Sequence, residues 1–215
     1  MEYLEAVEHL PEGAILVFPK VSWKQYENFL EDLAGRPGLR VSYDQGRLEI
    51  MSPSSEHEDY KDFILQLVRV LSDEFNIPVE PRGSTTWRRR KLDKGAEPDT
   101  CFYVTNANRI IGKRKLDLKS DPPPDVIVEI DATNESLNKF PIYAAFGVPE
   151  IWRYDGTHVH MYELRHDLTY LDISHSRFFP TLTATILAEA LESSKTLGHT
   201  EALKAFRHQL RSKKS

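Results

Sequence analysis

The chain has 215 residues, of which 40% are hydrophobic and 28% carry charge, an ordinary composition for a globular protein with one substantial domain. Its formal net charge of −5 repels nucleic acid in bulk, so any contact with nucleic acid requires a local basic patch. The single cysteine, Cys101, excludes an intramolecular disulfide and a cysteine-based zinc site.

The first residues of the chain and the lengths of its apolar runs indicate where in the cell the protein is located. Residues 1–10 contain acids where a signal peptide has basic residues. No apolar run reaches the roughly 18 residues that a membrane span needs. The sequence therefore predicts a cytoplasmic protein without a membrane segment.

The first quarter of the chain predicts a strand, a helix and a hairpin. An apolar run at 15–18 predicts the strand. Ser22 and Gln25 then form a capping-box pattern that begins a helix. Two β-prone runs, 39–43 and 47–51, flank a short turn with a glycine and predict a β-hairpin.

A long amphipathic helix follows the hairpin. Ser55 and Glu58 form a second capping-box pattern. Apolar residues then recur every three or four positions as far as Phe75, which is typical of a helix with one buried face. Short extended pieces around Val79 and at 85–87 come next.

The middle of the chain predicts two strands separated by a polar connection. The first is the apolar run 101–104, in which Cys101 is a small buried thiol. The connection, 106–120, predicts a loop or a short helix, and three prolines then lead into the second strand, 126–130. Four consecutive aliphatic residues in this second strand indicate burial on both faces.

The last third predicts one helix, three strands and a helical tail. A helical pattern over 134–146 starts near Pro141 and ends at Gly147. Runs at 150–154 and 158–162 flank an Asp-Gly turn and predict a second hairpin, which a strand at 169–173 extends. The tail from 185 onward predicts two helices joined around Gly198.

These elements divide the chain into three parts. Residues 1–38 are predicted to form an amino-terminal extension with a strand and a helix, 39–175 the core, and 176–215 a carboxy-terminal helical tail. The alternation of strands and helices predicts an α/β (α+β) fold, with a central mixed β-sheet flanked by helices.

Two acids stand beside the two buried strands of the middle region. Asp99 precedes the first strand and Glu129 lies near the end of the second. An unpaired buried charge costs several kcal/mol, so each carboxylate needs a partner. If the strands are neighbours, both acids lie within reach of one divalent cation, which prefers oxygen ligands. A turn or cap aspartate, and a glutamate paired with a lysine or arginine, are the structural alternatives.

The order of these motifs resembles the Uma-two (Uma2) family of restriction endonucleases, in the PD-(D/E)XK nuclease superfamily. The resemblance covers roughly 40–165. It rests on Met51-Ser52-Pro53 with His57, on 83–86, on Glu97-Pro98-Asp99, on 124–129, and on 143–152 with its Gly-Val-Pro-Glu-x-Trp run.

The resemblance implies a restriction-endonuclease-like core and a metal-dependent endonuclease that hydrolyses phosphodiester bonds of DNA. It assigns Asp99 and Glu129 as catalytic acids that hold Mg²⁺, with Mn²⁺ as a possible substitute. The superfamily usually has a lysine two residues after the second acid, where this chain has Asp131. Lys139, on the following helix, is then the candidate for a migrated catalytic lysine.

Three further residues are candidates for the same site. Glu97 lies on the same strand face as Asp99 if the alternation extends to it. His57, at the start of the long helix, either approaches the acids or caps its own helix. Asp131 is a possible additional metal ligand.

The basic run Arg88, Arg89, Arg90 and Lys91 is the candidate nucleic-acid contact, and 113–115 could extend it. A solvated loop is the alternative. Histidines 158 and 160 share one strand face, a spacing that could bind a transition metal, but they lack an evident third ligand nearby, so surface histidines are the simpler interpretation.

Two hypotheses about function follow. The first is the endonuclease, as a homodimer if it cuts both strands of a duplex. The second keeps the fold but makes the protein a noncatalytic DNA-binding or interaction module, because the usual lysine is absent at position 131.

Overall fold

The structure, a computed structural model, describes residues 7, 9–33, 38–131 and 138–212, which form two β-sheets with helices around them. The helices are α1 (Trp23–Asp32), α2 (Ser55–Phe75), α3 (Ala107–Ile110), α4 (Phe140–Phe146), α5 (Ala184–Leu197) and α6 (His199–Ser212), with a short 3-10 helix at Arg90–Leu92. The strands are β1 (Ile15–Phe18), β2 (Arg40–Asp44), β3 (Arg47–Met51), β4 (Glu80–Pro81), β5 (Trp87–Arg89), β6 (Lys94–Ala96), β7 (Thr100–Tyr103), β8 (Val126–Ile130), β9 (Glu150–Tyr154), β10 (Val159–Leu164) and β11 (Tyr170–Ile173).

The first sheet has five antiparallel strands in the order β1-β3-β2-β6-β5. The second has six strands in the order β11-β10-β9-β8-β7-β4 and is mixed, because β8 and β9 run parallel while the other pairs are antiparallel. The predicted α/β fold with a mixed sheet flanked by helices is confirmed.

The second sheet is covered on both faces, as the aliphatic run in β8 predicts. On one face Val128 and Trp152 join a core cluster with α2, α5 and α6. On the other face Ile127 and Ile151 pack with α4. Alternation along the strand sends neighbouring residues to opposite faces. Each fully buried large aliphatic side chain contributes about 1.5–3 kcal/mol to folding.

The first sheet packs against α1. Tyr26 of this helix stacks on Tyr43 of β2, with ring centroids 4.7 Å apart. Gly95 of β6 lies directly beneath the Tyr26 ring, and a Cβ atom at position 95 would stand 2.1 Å from the Tyr26 hydroxyl. Glycine is therefore required where this strand passes under the helix.

Most predicted elements have the predicted bounds, and one cap is wrong. The capping box of Ser22 and Gln25 is present. The N-cap of α2 is Ser54, whose side chain accepts from the His57 N–H, and not Ser55, which is the first helical residue. The two serines are adjacent and chemically alike, so the sequence alone does not separate them.

The predicted helix over 134–146 is described only in part. Residues 134–137 lie outside the described ranges, and α4 begins at Phe140, with Pro141 in its first turn. Gly147 ends it with φ of 79°, a left-handed conformation that favours glycine.

Both ends of the described chain pack onto the central part. β1 pairs with β3 of the hairpin, and α5 and α6 share the core cluster of α2 and β8. The division at residues 38 and 175 stays a prediction. Within the described ranges, no helix is both long and apolar enough to cross a membrane.

Asp121, in the connection before β8, provides a pH test of the fold. Its carboxylate accepts from Lys113 Nζ and, at 2.9 Å, from the Asp117 N–H, and these bonds hold the pKa of Asp121 below its usual 3.8. A lowered pKa stabilises the fold above the unfolded-state value and loses that effect as pH falls through the folded-state value.

We therefore expect Asp121→Asn to lower the free energy of unfolding by about 1 kcal/mol at pH 7, since charge-assisted bonds are lost. The difference from the unchanged protein should shrink as pH falls below about 4. Urea unfolding at several pH values measures it. A difference that grows on acidification would contradict this assignment.

Candidate active site

Asp99 is held at the point where the chain passes from the first sheet to the second. Glu97 and Pro98 separate it from β6, and β7 begins at the next residue, Thr100, which pairs with Val128 of β8. Asp99 Oδ2 accepts from the Ile130 N–H at 2.7 Å. The side chain is 1% exposed, so the backbone of one buried strand fixes the carboxylate of the next.

The other carboxylate oxygen of Asp99 faces a histidine and an arginine. His57 Nε2 lies 2.7 Å and Arg40 Nε 3.6 Å from Asp99 Oδ1. None of these three buried atoms makes an aligned hydrogen bond. Burial opposes ionisation of Asp99, but His57 and the charge of Lys139 outweigh it and hold its pKa below the usual range.

Glu129 lies on the adjacent strand, with one partner on each carboxylate oxygen. Lys139 Nζ donates to Oε2 at 2.7 Å, and the Tyr143 hydroxyl donates to Oε1. Burial is the main reason that the pKa of Glu129 rises to about 7, with the Asp99 charge adding to the rise and Lys139 opposing it. The residues predicted as catalytic, Asp99, Glu129 and Lys139, are thus brought together in space.

Helix α4 places both partners of Glu129. Lys139 immediately precedes the helix, and Tyr143 follows four residues later on the same face. Both side chains are buried. Although burial disfavours the ammonium, Glu129 and Asp99 hold the pKa of Lys139 above its usual value.

Asp131 occupies the position of the usual lysine and has an arginine partner. Arg153 Nε donates to Asp131 Oδ2 at 2.6 Å. Asp131 also lines a small cavity together with Ile130, His57 and residues 51–54.

A family model described as "Uma2: Putative restriction endonuclease" matches residues 23–195, well over half of the chain. The chain belongs to the Uma2 family. This match supports a nuclease and extends beyond the 40–165 region in which the motifs were recognised. No curated protein matches the chain.

Five chains of solved structures match. One is the crystal structure of "a putative nuclease belonging to DUF820 from Anabaena variabilis ATCC 29413". It is 16% identical, covers 69% of this chain and 89% of its own length, and has a TM-score of 0.47.

The remaining predicted site residues of this Uma2 protein lie at the edge of the cluster or away from it. Glu97 accepts from the Val41 N–H at 3.1 Å and from Thr86, so it ties β2 to the segment before β5. Burial is the main cause of its raised pKa. In the basic run, Arg89 donates to the Leu118 carbonyl oxygen, while the side chains of Arg88, Arg90 and Lys91 are exposed.

The cluster fits a hard divalent cation that binds few protein ligands. Asp99 Oδ1 is a buried carboxylate oxygen that accepts no well-aligned hydrogen bond, and each Glu129 oxygen keeps a second lone pair. Within the described ranges, no three His, Cys, Asp or Glu side chains form a ready metal cage. Mg²⁺ is commonly bound by one or two carboxylates, with water and substrate oxygens completing its shell. Restriction-endonuclease-like nucleases generally use divalent metals.

Three residues of the cluster were missed from the sequence. Tyr143 carried a signal, because it lies one helical turn after Lys139. Arg153 carried a weaker one, since parallel pairing sets it beside Glu129. Arg40 carried none, because its contact with Asp99 joins β2 of the first sheet to the residue that precedes β7 of the second.

Proposed function

We propose that this Uma2 protein is a metal-dependent endonuclease that hydrolyses phosphodiester bonds of DNA with Mg²⁺ or Mn²⁺. The observation that carries the proposal is the pair of buried carboxylates on adjacent strands, with the Lys139 ammonium 2.7 Å from Glu129. Asp99, Glu129 and Lys139 are the catalytic residues, and Asp99 and Glu129 hold the ion.

Each residue has a role that follows from its contacts. A cation held by Asp99 and Glu129 would neutralise charge on the scissile phosphate and lower the pKa of an attacking water. The Ile130 N–H and His57 orient the Asp99 carboxylate, and Tyr143 orients that of Glu129. Lys139, paired with Glu129, keeps its ammonium form and acts as a fixed hydrogen-bond donor to water or phosphate oxygen.

The position of Lys139 also supports the enzyme over the noncatalytic module. The module was motivated by Asp131 in place of the usual lysine. The ammonium of Lys139, bonded to Glu129, supplies from another segment of the chain the positive charge that is missing at position 131. If the substrate is a duplex, two such sites are needed, so a homodimer on DNA is part of the proposal.

The metal requirement is the first test of the proposal. Purified protein is incubated with supercoiled plasmid in Mg²⁺, Mn²⁺ or EDTA, and nicked and linear products are followed on gels. Cutting that needs the metal is expected. Calorimetric titration with Mn²⁺ should show binding that Asp99→Asn removes. A folded protein that neither cuts plasmid nor binds the ion would refute the proposal.

Tyr143→Phe tests the orientation of Glu129. We expect the cutting rate to fall about tenfold, because partners that orient a metal ligand typically matter by 10–100-fold. The free energy of unfolding should fall by only about 1 kcal/mol, the value of one hydrogen bond. Tyr103→Phe is the matched control, since this buried tyrosine donates to the Pro122 carbonyl oxygen outside the site. Equal rates in both variants would remove Tyr143 from the site.

A further inference from the structure

Arg153 stands beside the candidate site as a cation that the nuclease proposal does not use. Parallel pairing of β8 and β9 sets Arg153 level with Glu129, so both side chains point to the same face of the sheet. The Asp131 N–H continues the pairing by donating to the Tyr154 carbonyl oxygen at 2.8 Å. Asp131, two residues after Glu129, shares that face.

The other basic side chains of the cluster are buried against its acids. Lys139 is 6% exposed and contacts Glu129, while Arg40 and His57, 7% and 4% exposed, face Asp99. A substrate phosphate brings its own negative charge to this acidic pair. Charge complementarity therefore calls for a further cation that solvent and substrate can reach.

Arg153 meets this requirement. Its side chain is 40% exposed, and its guanidinium is oriented by Asp131 at 2.6 Å and by contact with Tyr162. A guanidinium has five N–H donors, of which the Asp131 contact uses the one on Nε. An oriented, accessible guanidinium is well suited to bind a phosphate through paired hydrogen bonds.

We propose that Arg153, oriented by Asp131, binds a backbone phosphate of the nucleic-acid substrate next to the scissile bond. This inference rests on the proposed nuclease function. It gives Asp131 a role other than metal ligation: the acid at the usual lysine position fixes an arginine from the neighbouring strand. Because a phosphate contact carries no base information, Arg153 contributes affinity without sequence specificity.

The test is fluorescence anisotropy of two short labelled DNA duplexes of unrelated sequence, titrated in EDTA at several salt concentrations. Arg153→Ala is expected to weaken Kd about tenfold for both duplexes and to reduce the salt slope by about one. Arg207→Ala is the matched control. Arg207 lies on α6, on the opposite face of the sheet, where it is 41% exposed and faces Asp73 and Glu74 of α2. Its removal should leave Kd unchanged.

The pairing with Asp131 separates phosphate binding from a structural role. Asp131→Ala keeps the guanidinium charge but removes the partner that orients it, so Kd should weaken by about two- to threefold, less than in Arg153→Ala. The double variant Asp131→Ala/Arg153→Ala removes both members of the pair and should bind as weakly as Arg153→Ala. Thermal unfolding shows that each variant is folded. If Asp131→Ala weakens binding as much as Arg153→Ala does, or if Arg153→Ala binds normally, the inference is overturned.

The outcomes for Arg153 and for the nuclease are distinguishable. Metal-dependent cutting with a normal Kd in Arg153→Ala rejects the Arg153 contact and leaves the nuclease intact. Arg153-dependent binding without cutting supports the contact and rejects the enzyme in favour of the binding module. If the unchanged protein neither binds nor cuts DNA, both proposals fail.

Discussion

Replacing either carboxylate, as Asp99→Asn or Glu129→Gln, is expected to lower the single-turnover rate of metal-dependent plasmid cutting by about 1,000-fold. Each substitution keeps the size of the side chain but removes the charge that holds the cation. Loss of one electrostatic contribution in a buried site typically costs 100–1,000-fold, and here the metal contribution depends on that charge. Rates are measured with protein in excess over plasmid.

Asp125→Asn is the matched control for these two variants. Asp125 is also buried, at 3% exposure, and its Oδ2 accepts from the N–H groups of Val104 and Asn106 at 2.7 and 3.2 Å. It is therefore a structural carboxylate just before the start of β8, whereas Glu129 lies near the end of that strand. We expect it to cut at the unchanged rate. If Asp99→Asn and Glu129→Gln also cut at that rate, neither acid takes part in catalysis.

The pairing of Asp99 with Glu129 was predictable because it depends on local sequence and one neighbour relation. The apolar runs of β7 and β8 define two buried strands, and burial restricts where an acid can lie without a partner. The structure confirms that these strands are adjacent. The helices and hairpins were predictable for similar reasons, since periodicity and turn residues are short-range signals.

The partners of the two acids were harder to predict because they depend on register and on packing between elements. Glu97 shows the difference. Strand alternation from Asp99 predicted that Glu97 points into the site. The chain passes from one sheet to the other across Pro98, however, and Glu97 accepts a hydrogen bond from the Val41 N–H instead. Arg153 is opposite Glu129 only in the observed register of β8 and β9, and a shift of one residue would move it to the other face.

Lys139→Met should lower the free energy of unfolding by about 3 kcal/mol, because it leaves the buried Glu129 carboxylate without its ammonium partner. Adding Glu129→Gln removes the unpaired charge and should restore most of this loss. Urea unfolding of the two single variants and the double variant gives the coupling energy. Lys94→Met is the matched control: its partner Asp44 is partly exposed, at 22%, so the cost should stay below about 1 kcal/mol.

The cutting rate of folded Lys139→Met then separates support of Glu129 from chemistry. If the ammonium orients water or a phosphate oxygen, the rate per folded molecule should fall about 100-fold or more, as for loss of one transition-state donor. A retained rate would mean that Lys139 only neutralises Glu129. Lys139 would then not replace the lysine that the superfamily usually has at position 131, where this chain has Asp131. In that case Arg153 would be the next candidate for the role of the lysine. The cutting rate of Arg153→Ala would test this.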